Sequence, residues 1–353
     1  MIGRIAITIC GIMAADVLSK TEKRKYKKMK IRQKISALLF MIIMVIMCGC
    51  GEKSNTTVRV GSLKGATSLG LLNLMDKSQN SGTRNNYEFE IATAADEIMP
   101  KMIKGELDIA LIPANAAANL YQKSNKSIQV IDINTLGVLY VVTGDESVAS
   151  VQDLKGRTIY STGKGATPEA AIMSVLEGSG LAKDDYTVEF KSEATEVVAV
   201  LAENPDAVAV LPQPFVTAAT IQNENLKVVM DLSGEWNNIY GTDGAKMVTG
   251  VTVVRAEFAK ENPKAVKAFL EEHKESASLA NSDLDKTAAL AVGAEIIAKE
   301  PIAKKAIPAC NIVCISGEEM KSALKGYLES LYEFDAKLVG GVVPEDDFYY
   351  VGE

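Results

Sequence analysis

Short β-branched runs alternate with stretches of helical periodicity in the first two thirds of the chain, which predicts an α/β fold. The predicted elements of the first part are, in order, a strand at 56–62, a helix from 68, a strand at 87–92, a helix at 95–104, a strand at 107–112 and an alanine-rich helix to about 121. The last third, from residue 262, carries apolar side chains at helical spacing and predicts three further helices.

The same order of elements recurs about one hundred positions later. The predicted elements of this second part are a strand at 157–161, a helix from 167, a strand at 188–190, a helix at 194–202 and a strand at 207–211. Four landmarks repeat in order at offsets of 99 to 101 positions. They are Lys64 with Lys164, Phe89 with Phe190, Glu97 with Glu196, and 113–115 with 212–214. This correspondence predicts two similar α/β lobes, since its period is too long for a solenoid.

Two extended stretches connect the predicted lobes. Residues 136–142 lead out of the first lobe, and residues 246–254 lead back. We therefore expect two Rossmann-like lobes joined by a two-strand hinge. The expected boundaries are 58–143 and 247–353 for lobe I, which is discontinuous, and 144–246 for lobe II.

A Lys-Gly-Ala-Thr phrase follows the first strand of each lobe and precedes a helix. Such turns leave backbone N–H groups at a helix N-terminus, where they attract the polar or anionic end of a ligand. Neither phrase matches the Walker pattern, so we interpret the turns as passive ligand cradles rather than nucleotide-hydrolysis loops. The alternative is that the glycines only permit the turns and the lysines point to solvent. The candidate ligand-binding residues here are Ser62, Lys64, Gly65, Ala66, Thr67, Thr162, Gly163, Lys164, Gly165, Ala166 and Thr167.

Three further residues are candidates for ligand contact. Asn115 and Gln213 follow strands at the carboxyl end, where open α/β sheets bind ligands. The alternatives are a helix cap for Asn115 and an ordinary loop residue for Gln213. Trp236, the only tryptophan, falls outside the periodic stretches and is placed in a loop, where it would stack on a ligand or cover a small apolar cluster.

The charge of the chain is unevenly distributed. Residues 1–49 hold ten Lys/Arg and two Asp/Glu, whereas the remaining 304 residues carry a net charge of about −15. An acidic body lacks the basic footprint that nucleic-acid phosphates require, so no nucleic-acid partner is expected.

The N-terminal segment has the pattern of an export signal. A basic run at 23–34 precedes thirteen uncharged residues at 35–47, which is short for a membrane-spanning helix. The ending Met47-Cys48-Gly49-Cys50 resembles a bacterial lipobox, which implies cleavage before Cys50 and lipidation of its thiol. We expect residues 1–49 to be an upstream segment plus a signal peptide, with Met29 as the more natural start, and residues 50–57 to be a lipidated tether. A single-pass anchor is the alternative.

Cysteine and histidine usage gives little support for catalysis or metal binding. The chain has one histidine, His273, which lies on a helical stripe without a partner nearby in sequence and is interpreted as a packing residue. Cys310 and Cys314 are marginally spaced for a disulfide and are expected to be buried thiols. No catalytic residue, metal ligand or cofactor is predicted.

Several segments together resemble a known family. The lipobox, the stretches 105–110 and 258–266, and above all Val151-Gln152-Asp153-Leu154-Lys155-Gly156-Arg157-Thr158-Ile159, resemble ABC-transporter substrate-binding lipoproteins of the nitrate/sulfonate/taurine/thiamine-precursor cluster. The resemblance implies a type II periplasmic-binding-protein fold that closes on a small polar or anionic organic solute. It also implies ABC permease and ATPase partners, an extracytoplasmic lipid-anchored location and a monomer.

Two other functions remain open at this stage. Eukaryotic thiamine-pyrimidine synthases and some menaquinone-pathway enzymes resemble the same scaffold, so an enzyme acting on a small pyrimidine or aromatic acid is one alternative. The synthases carry a cysteine-rich motif and an active-site histidine, which have no counterpart in the predicted lobes. The other alternative is a receptor that signals rather than transports.

Overall fold

The structure, a computed structural model, describes residues 56–241 and 245–352. The predicted signal peptide, the predicted lipidation site at Cys50 and most of its tether lie outside these ranges. None of the helices in the described part of the chain has the length and apolar character needed to cross a membrane.

The strands and helices alternate as the periodicity predicts. The strands are β1 (Thr57–Leu63), β2 (Asn86–Ala92), β3 (Ile109–Pro113), β4 (Ile128–Leu136), β5 (Leu139–Thr143), β6 (Thr158–Thr162), β7 (Thr187–Lys191), β8 (Val208–Pro212), β9 (Lys227–Asp231), β10 (Val248–Arg255) and β11 (Ile312–Ile315). The helices are α1 (Ala66–Leu69), α2 (Leu72–Gln79), α3 (Ala95–Lys104), α4 (Ala114–Lys123), α5 (Thr167–Gly178), α6 (Ala194–Glu203), α7 (Phe215–Gln222), α8 (Leu232–Tyr240), α9 (Ala256–Glu261), α10 (Pro263–Ser282), α11 (Leu284–Gly293), α12 (Glu300–Ala306) and α13 (Gly317–Phe334).

The strands form two separate sheets with matching topology. The first sheet has the order β11-β4-β10-β3-β1-β2, and the second has the order β7-β6-β8-β5-β9. In each sheet three parallel strands, β2-β1-β3 or β7-β6-β8, are followed by an antiparallel strand, β10 or β5. The predicted fold of two similar α/β lobes is therefore confirmed.

The central strands are hydrophobic because helices cover both of their faces. β3 and β8 bury every residue before their final proline, which is the pattern of a parallel strand inside an α/β sheet. In the first lobe, α10 covers one face of the sheet, where Val266 and Phe269 pack with Val58 and Ile131. These packed layers hold the strand ends in fixed positions at the edge of each sheet.

The chain crosses between the sheets twice. The first crossing lies at residues 137–138, between β4 and β5. The predicted boundary after residue 143 is therefore placed too late, because β5 pairs with β8 and β9 of the second sheet. The stretch around it is one continuous β-forming run, which hides the change of sheet. A Cβ at Gly137 would lie 2.1 Å from Ser233 Oγ and 2.7 Å from Met247 Sδ, so glycine permits the two crossings to pack closely.

The strand ends that carry the predicted cradles face these crossings. Gly250, near the start of β10, pairs with Pro113 at the end of β3, and Leu139, at the start of β5, pairs with Pro212 at the end of β8. Because β1 and β6 run parallel to β3 and β8, their carboxyl ends lie at the same edges. Both Lys-Gly-Ala-Thr turns therefore border the cleft between the lobes.

The C-terminal helices contact both lobes. α13 packs on β4 and α4 of the first lobe and also on α5 of the second, and α12 packs on α7. These helices, which the expected boundaries assign to lobe I, therefore also contact lobe II. Tyr140 of β5 donates a 2.7 Å hydrogen bond to the carbonyl of Ala309, which adds a further link across the cleft.

Candidate functional site

The first turn is held by its own hydroxyl groups. Ser62 is fully buried, and its Oγ lies 2.7 Å from Ser68 Oγ. Ser68 Oγ and Thr67 Oγ1 both donate to the carbonyl of Leu63, at 2.6 and 3.1 Å. The side chain of Ser62 therefore supports the turn from inside, while no side chain caps the N-terminus of α1.

The glycine of the first turn borders open space. Gly65 has φ of 146°, a conformation that favours glycine, and a Cβ there would have no heavy atom within 4 Å. Ala66, which begins α1, is half-buried beside it. The predicted cradle is thus a rigid turn with free space in front of its glycine.

The second turn follows a similar backbone course, but a different side chain of the protein hydrogen-bonds to it. Gly163 and Gly165 have φ of 81° and 71°, and a Cβ at Gly165 would again meet nothing within 4 Å. The N–H of Gly165 donates a 2.6 Å hydrogen bond to Glu169 Oε2, so a carboxylate of the protein already occupies this position. Thr167 Oγ1 is buried and lacks a hydrogen-bond partner among the described residues, which makes it available to a bound molecule. Thr162 ends β6 just before this turn.

The lysines of both turns are exposed. Lys64 Nζ lies 3.8 Å from a carboxylate oxygen of Glu295, a surface pair that contributes little energy. Lys164 is exposed next to Ala166 at the start of α5. Both ammonium groups therefore lie at the surface beside their turns.

Arginine takes no part in either turn. The four arginines of the described residues form ion pairs elsewhere: Arg59 and Arg255 with Asp108, Arg84 with Glu271, and Arg157 with Asp145. The positive charge in the two turns therefore comes from Lys64 and Lys164.

Asn115 and Gln213 occupy equivalent places but differ in exposure. Asn115 is half-buried in the first turn of α4, and its backbone carbonyl accepts a 2.9 Å hydrogen bond from Asn119 Nδ2. Gln213 is buried, and its Oε1 accepts a 2.8 Å hydrogen bond from Thr217 Oγ1 in α7. Its N–H donates to the carbonyl of Val138 in the first crossing at 3.0 Å. The amide oxygen of Gln213 is thus engaged in holding α7.

Trp236 is not in a loop, and its predicted location is wrong. It lies in α8, fully buried, with its ring centroid 4.6 Å from that of Tyr240 and 5.5 Å from that of Tyr327. Leu232, Trp236, Ile239 and Tyr240 follow helical spacing, a signal that was present in the sequence. Trp236 therefore joins α8 to α13 in the core and leaves no ring face for a ligand.

A buried polar network adjoins the first turn and is not predicted from sequence. A Cβ at Gly250 would lie 2.5 Å from both Thr67 Cγ2 and Asn134 Oδ1, so glycine permits this close approach. Asn134 Nδ2 donates to Thr252 Oγ1 at 3.2 Å, and Thr252 Oγ1 donates to Asp132 Oδ1 at 2.8 Å. Polar residues inside β-forming runs give no periodic signal, which is why the pattern of the sequence did not reveal them.

The histidine has partners that are distant in sequence. His273 Nδ1 lies 3.1 Å from Asp132 Oδ2, and both side chains are fully buried. Cys314 lies against this pair. His273 packs in the core as interpreted, stacked on Phe269, and it also has a hydrogen-bonding partner because β4, α10 and β11 converge there.

Both C-terminal cysteines are free thiols, as expected. Burial raises the pKa of the Cys310 thiol to about 12. Burial, and then the nearby charge of Asp132, raise the pKa of the Cys314 thiol as well. Burial therefore favours the neutral form of both thiols.

A mainly apolar cavity of about 450 Å³ lies where α7 meets the segment between α11 and α12. Glu295, the partner of Lys64, lies on its wall. The residues that line it are Pro214, Phe215, Ala218, Val292, Glu295, Ile296, Ile297, Ala298 and Ile302. The cavity therefore adjoins elements from both lobes close to the first turn.

Two α/β lobes, two crossings and ligand-accessible strand ends define the type II periplasmic-binding-protein fold, and solved structures agree. An ABC transporter structure from Parabacteroides distasonis is 24% identical, with a TM-score of 0.71, and the match covers 84% of this chain and 99% of that one. The periplasmic aliphatic sulphonate binding protein of Escherichia coli is 14% identical, with a TM-score of 0.64 and coverages of 80% and 88%. The periplasmic nitrate-binding protein of Synechocystis is 13% identical, with a TM-score of 0.55 and coverages of 84% and 85%.

The family model described as menaquinone biosynthesis matches residues 69–332. The chain therefore belongs to this family. A search of curated proteins found no match.

Proposed function

We propose that the protein is an extracytoplasmic solute-binding lipoprotein of an ABC importer. It captures a small polar or anionic organic solute, such as a sulfonate, a nitrate-like anion or a thiamine-pyrimidine precursor, between its lobes. The observation that carries the proposal is that two equivalent glycine turns, at Gly65 and Gly165, end parallel strands of separate sheets and border one cleft.

The geometry favours reversible binding over bond-breaking chemistry. The turn side chains that border the cleft are hydroxyls and lysines, groups that orient a ligand by hydrogen bonds and charge. The only histidine of the chain is buried against Asp132, behind the sheet edge. The similarity in fold to binding proteins for a sulfonate and for nitrate supports the same conclusion.

The two turns are suited to different groups of one solute. An anionic group at the second turn would compete with Glu169 for the N–H of Gly165. At the first turn no side chain caps the N-terminus of α1, and Lys64, 3.8 Å from the exposed Glu295 carboxylate, stands beside it. We therefore assign the anionic end of the solute to the first turn and a hydrogen-bonding end to Thr167 in the second.

Delivery to a membrane permease requires that the protein stays at the membrane surface. The lipobox at Cys50 supplies an anchor, and the permease and ATPase subunits of the importer are the expected partners. A short polar tether after Cys50 would let a monomeric binding domain reach the permease.

Enzymatic activity is the second candidate function, and family membership is the observation that favours it. A menaquinone-type reaction would require turnover of a small aromatic acid or a related compound in the same cleft. No cofactor is assigned to either function.

A combined assay separates the two functions. The full chain is screened by thermal shift against sulfonates, oxyanions, pyrimidines, amino acids and aromatic acids, and each hit is then incubated and analysed for chemical change. A binder at a hundredfold excess over Kd gains about 2.7 kcal/mol of stability. A shift without turnover supports the importer, turnover of a hit establishes the enzyme, and a library without any shift contradicts solute binding.

A further inference from the structure

Three chemically different side chains converge behind the first sheet. Asp132 comes from β4, His273 from α10 and Cys314 from β11. One oxygen, one ring nitrogen and the sulfur all lie within 4.8 Å of one another. The first two side chains are fully buried and Cys314 is partly buried, so the group lies inside the first lobe.

We propose that Asp132, His273 and Cys314 bind one Zn²⁺ ion. Carboxylate oxygen, imidazole nitrogen and thiolate sulfur are the ligands that zinc takes in proteins, with bonds of about 2.0–2.2 Å to oxygen and nitrogen and about 2.3 Å to sulfur. Three protein ligands leave the fourth tetrahedral position for a water molecule. The site goes beyond the proposed solute-binding function.

The spacing of the nitrogen and oxygen already matches such a site. His273 Nδ1 and Asp132 Oδ2 are 3.1 Å apart. Two ligand atoms with bonds of about 2.05 Å around a tetrahedral ion are separated by roughly 3.3 Å. Zinc would therefore replace the proton between these atoms, and the Cys314 sulfur lies within 4.8 Å of both.

The imidazole has a ring nitrogen that the surrounding protein leaves unsatisfied. Nδ1 faces a carboxylate, which is an acceptor, and the buried Nε2 has no hydrogen-bond partner among the described residues. In either neutral tautomer of His273, one lone pair therefore lacks a donor. A cation at Nδ1 takes the lone pair that faces the Asp132 carboxylate in the tautomer protonated at Nε2.

Charge and outer-shell contacts also favour a dication. A carboxylate and a thiolate together carry two negative charges, which Zn²⁺ neutralises in a region where an isolated charge would be expensive. Thr252 Oγ1 donates to Asp132 Oδ1 at 2.8 Å and so fixes the carboxylate with Oδ2 directed toward His273. Outer-shell hydrogen bonds of this kind orient metal ligands in known sites.

Cobalt substitution tests the site directly. The full chain is treated with a chelator, dialysed and titrated with Co²⁺, whose bond to a thiolate produces a charge-transfer absorption band in the near ultraviolet. We expect one Co²⁺ per chain with this band, and we expect one equivalent of Zn²⁺ to displace it. A wild-type chain that takes up no Co²⁺, or binds it without the band, overturns the proposal.

Matched cysteine variants locate the thiolate. Cys314→Ser should abolish the band and weaken Zn²⁺ binding at least tenfold, and His273→Gln should weaken it similarly. Cys310→Ser, which alters a buried thiol outside the group, should leave both unchanged. A band that persists in Cys314→Ser would place the thiolate on another cysteine and overturn the assignment. Far-ultraviolet circular dichroism confirms that each variant is folded, and the wild-type titration decides the question if one is not.

Discussion

At the scale of single residues, the stretch 151–159, which most resembles ABC-transporter binding proteins, has a structural role. Asp153 Oδ2 accepts hydrogen bonds from the N–H groups of Ala149 and Ser150, and Gly156 turns the chain with φ of 77°. Arg157 then donates to Asp145 at 2.5 Å. The motif therefore directs the chain from β5 into β6.

The pairing of Asp145 predicts a pH dependence. Hydrogen bonds from Ser147, followed by the Arg157 guanidinium, lower the pKa of Asp145 to about 2. An aspartate with a lowered folded-state pKa stabilises the fold above its unfolded value of about 3.9, and this contribution disappears as pH falls toward 2. Asp145→Asn should therefore have a lower Tm than wild type at pH 7, with a difference that shrinks near pH 2.

Thermal unfolding of both proteins across this pH range measures the effect. Asp184→Asn, at an exposed position of the same lobe, is the matched control and should follow wild type. A Tm difference for Asp145→Asn that stays constant between pH 7 and pH 2 would show that the carboxylate charge is not responsible.

The close packing at Gly250 predicts that a substitution there changes both the stability of the fold and solute binding at the first turn. A Cβ at this position would lie 2.5 Å from Thr67 Cγ2 and from Asn134 Oδ1, so one of these side chains must move. Gly250→Ala should lower the free energy of unfolding by about 1–3 kcal/mol, as overpacking commonly does. It should also weaken solute binding, since Thr67 belongs to the turn.

Urea unfolding measures the cost of this substitution. Gly293→Ala is the control, because a Cβ there meets no heavy atom within 4 Å, and it should change stability by less than about 0.5 kcal/mol. Equal stabilities of the two variants would mean that the contact with Thr67 relaxes without cost.

At the scale of elements, helix α8 shows how the helical spacing of apolar residues can be missed. Asp231 caps the helix by accepting from the N–H of Ser233 at 2.9 Å, and apolar residues follow at helical spacing. Gly234 and the two asparagines obscure this spacing, so the sequence predicts a loop at Trp236. The first crossing is predicted too late for a different reason, since strand propensity does not state which sheet a strand joins.

The position of Trp236 predicts a large stability cost on truncation. Its ring fills the contact between α8 and α13, so Trp236→Ala should lower the free energy of unfolding by about 3–5 kcal/mol. Trp236→Phe keeps much of the packing and should lower the free energy of unfolding by a smaller amount. Denaturant unfolding measures both, and a Trp236→Ala protein as stable as wild type would contradict the core assignment.

At the scale of the whole molecule, the internal repeat made the fold predictable. Glu97 and Glu196, matched at an offset of 99 positions, play the same part: each accepts from the backbone N–H of the residue four positions earlier, Thr93 or Ser192, at 3.0 Å. The turns could be located in the same way because local sequence forms them. The group of Asp132, His273 and Cys314 could not be located from the sequence. Its members lie 41 to 182 positions apart and meet only after the first lobe has folded.

The central claim is that two equivalent turns hold one solute. Isothermal titration calorimetry of the full chain, with a solute found by thermal shift, measures both stoichiometry and affinity. We predict one solute per chain, loss of binding in Gly65→Val and in Gly165→Val, and full binding in the control Gly293→Ala. A valine at either turn would project into the open space that the glycine borders. Two solutes per chain, or a turn variant that is folded and retains full affinity, would contradict the shared site.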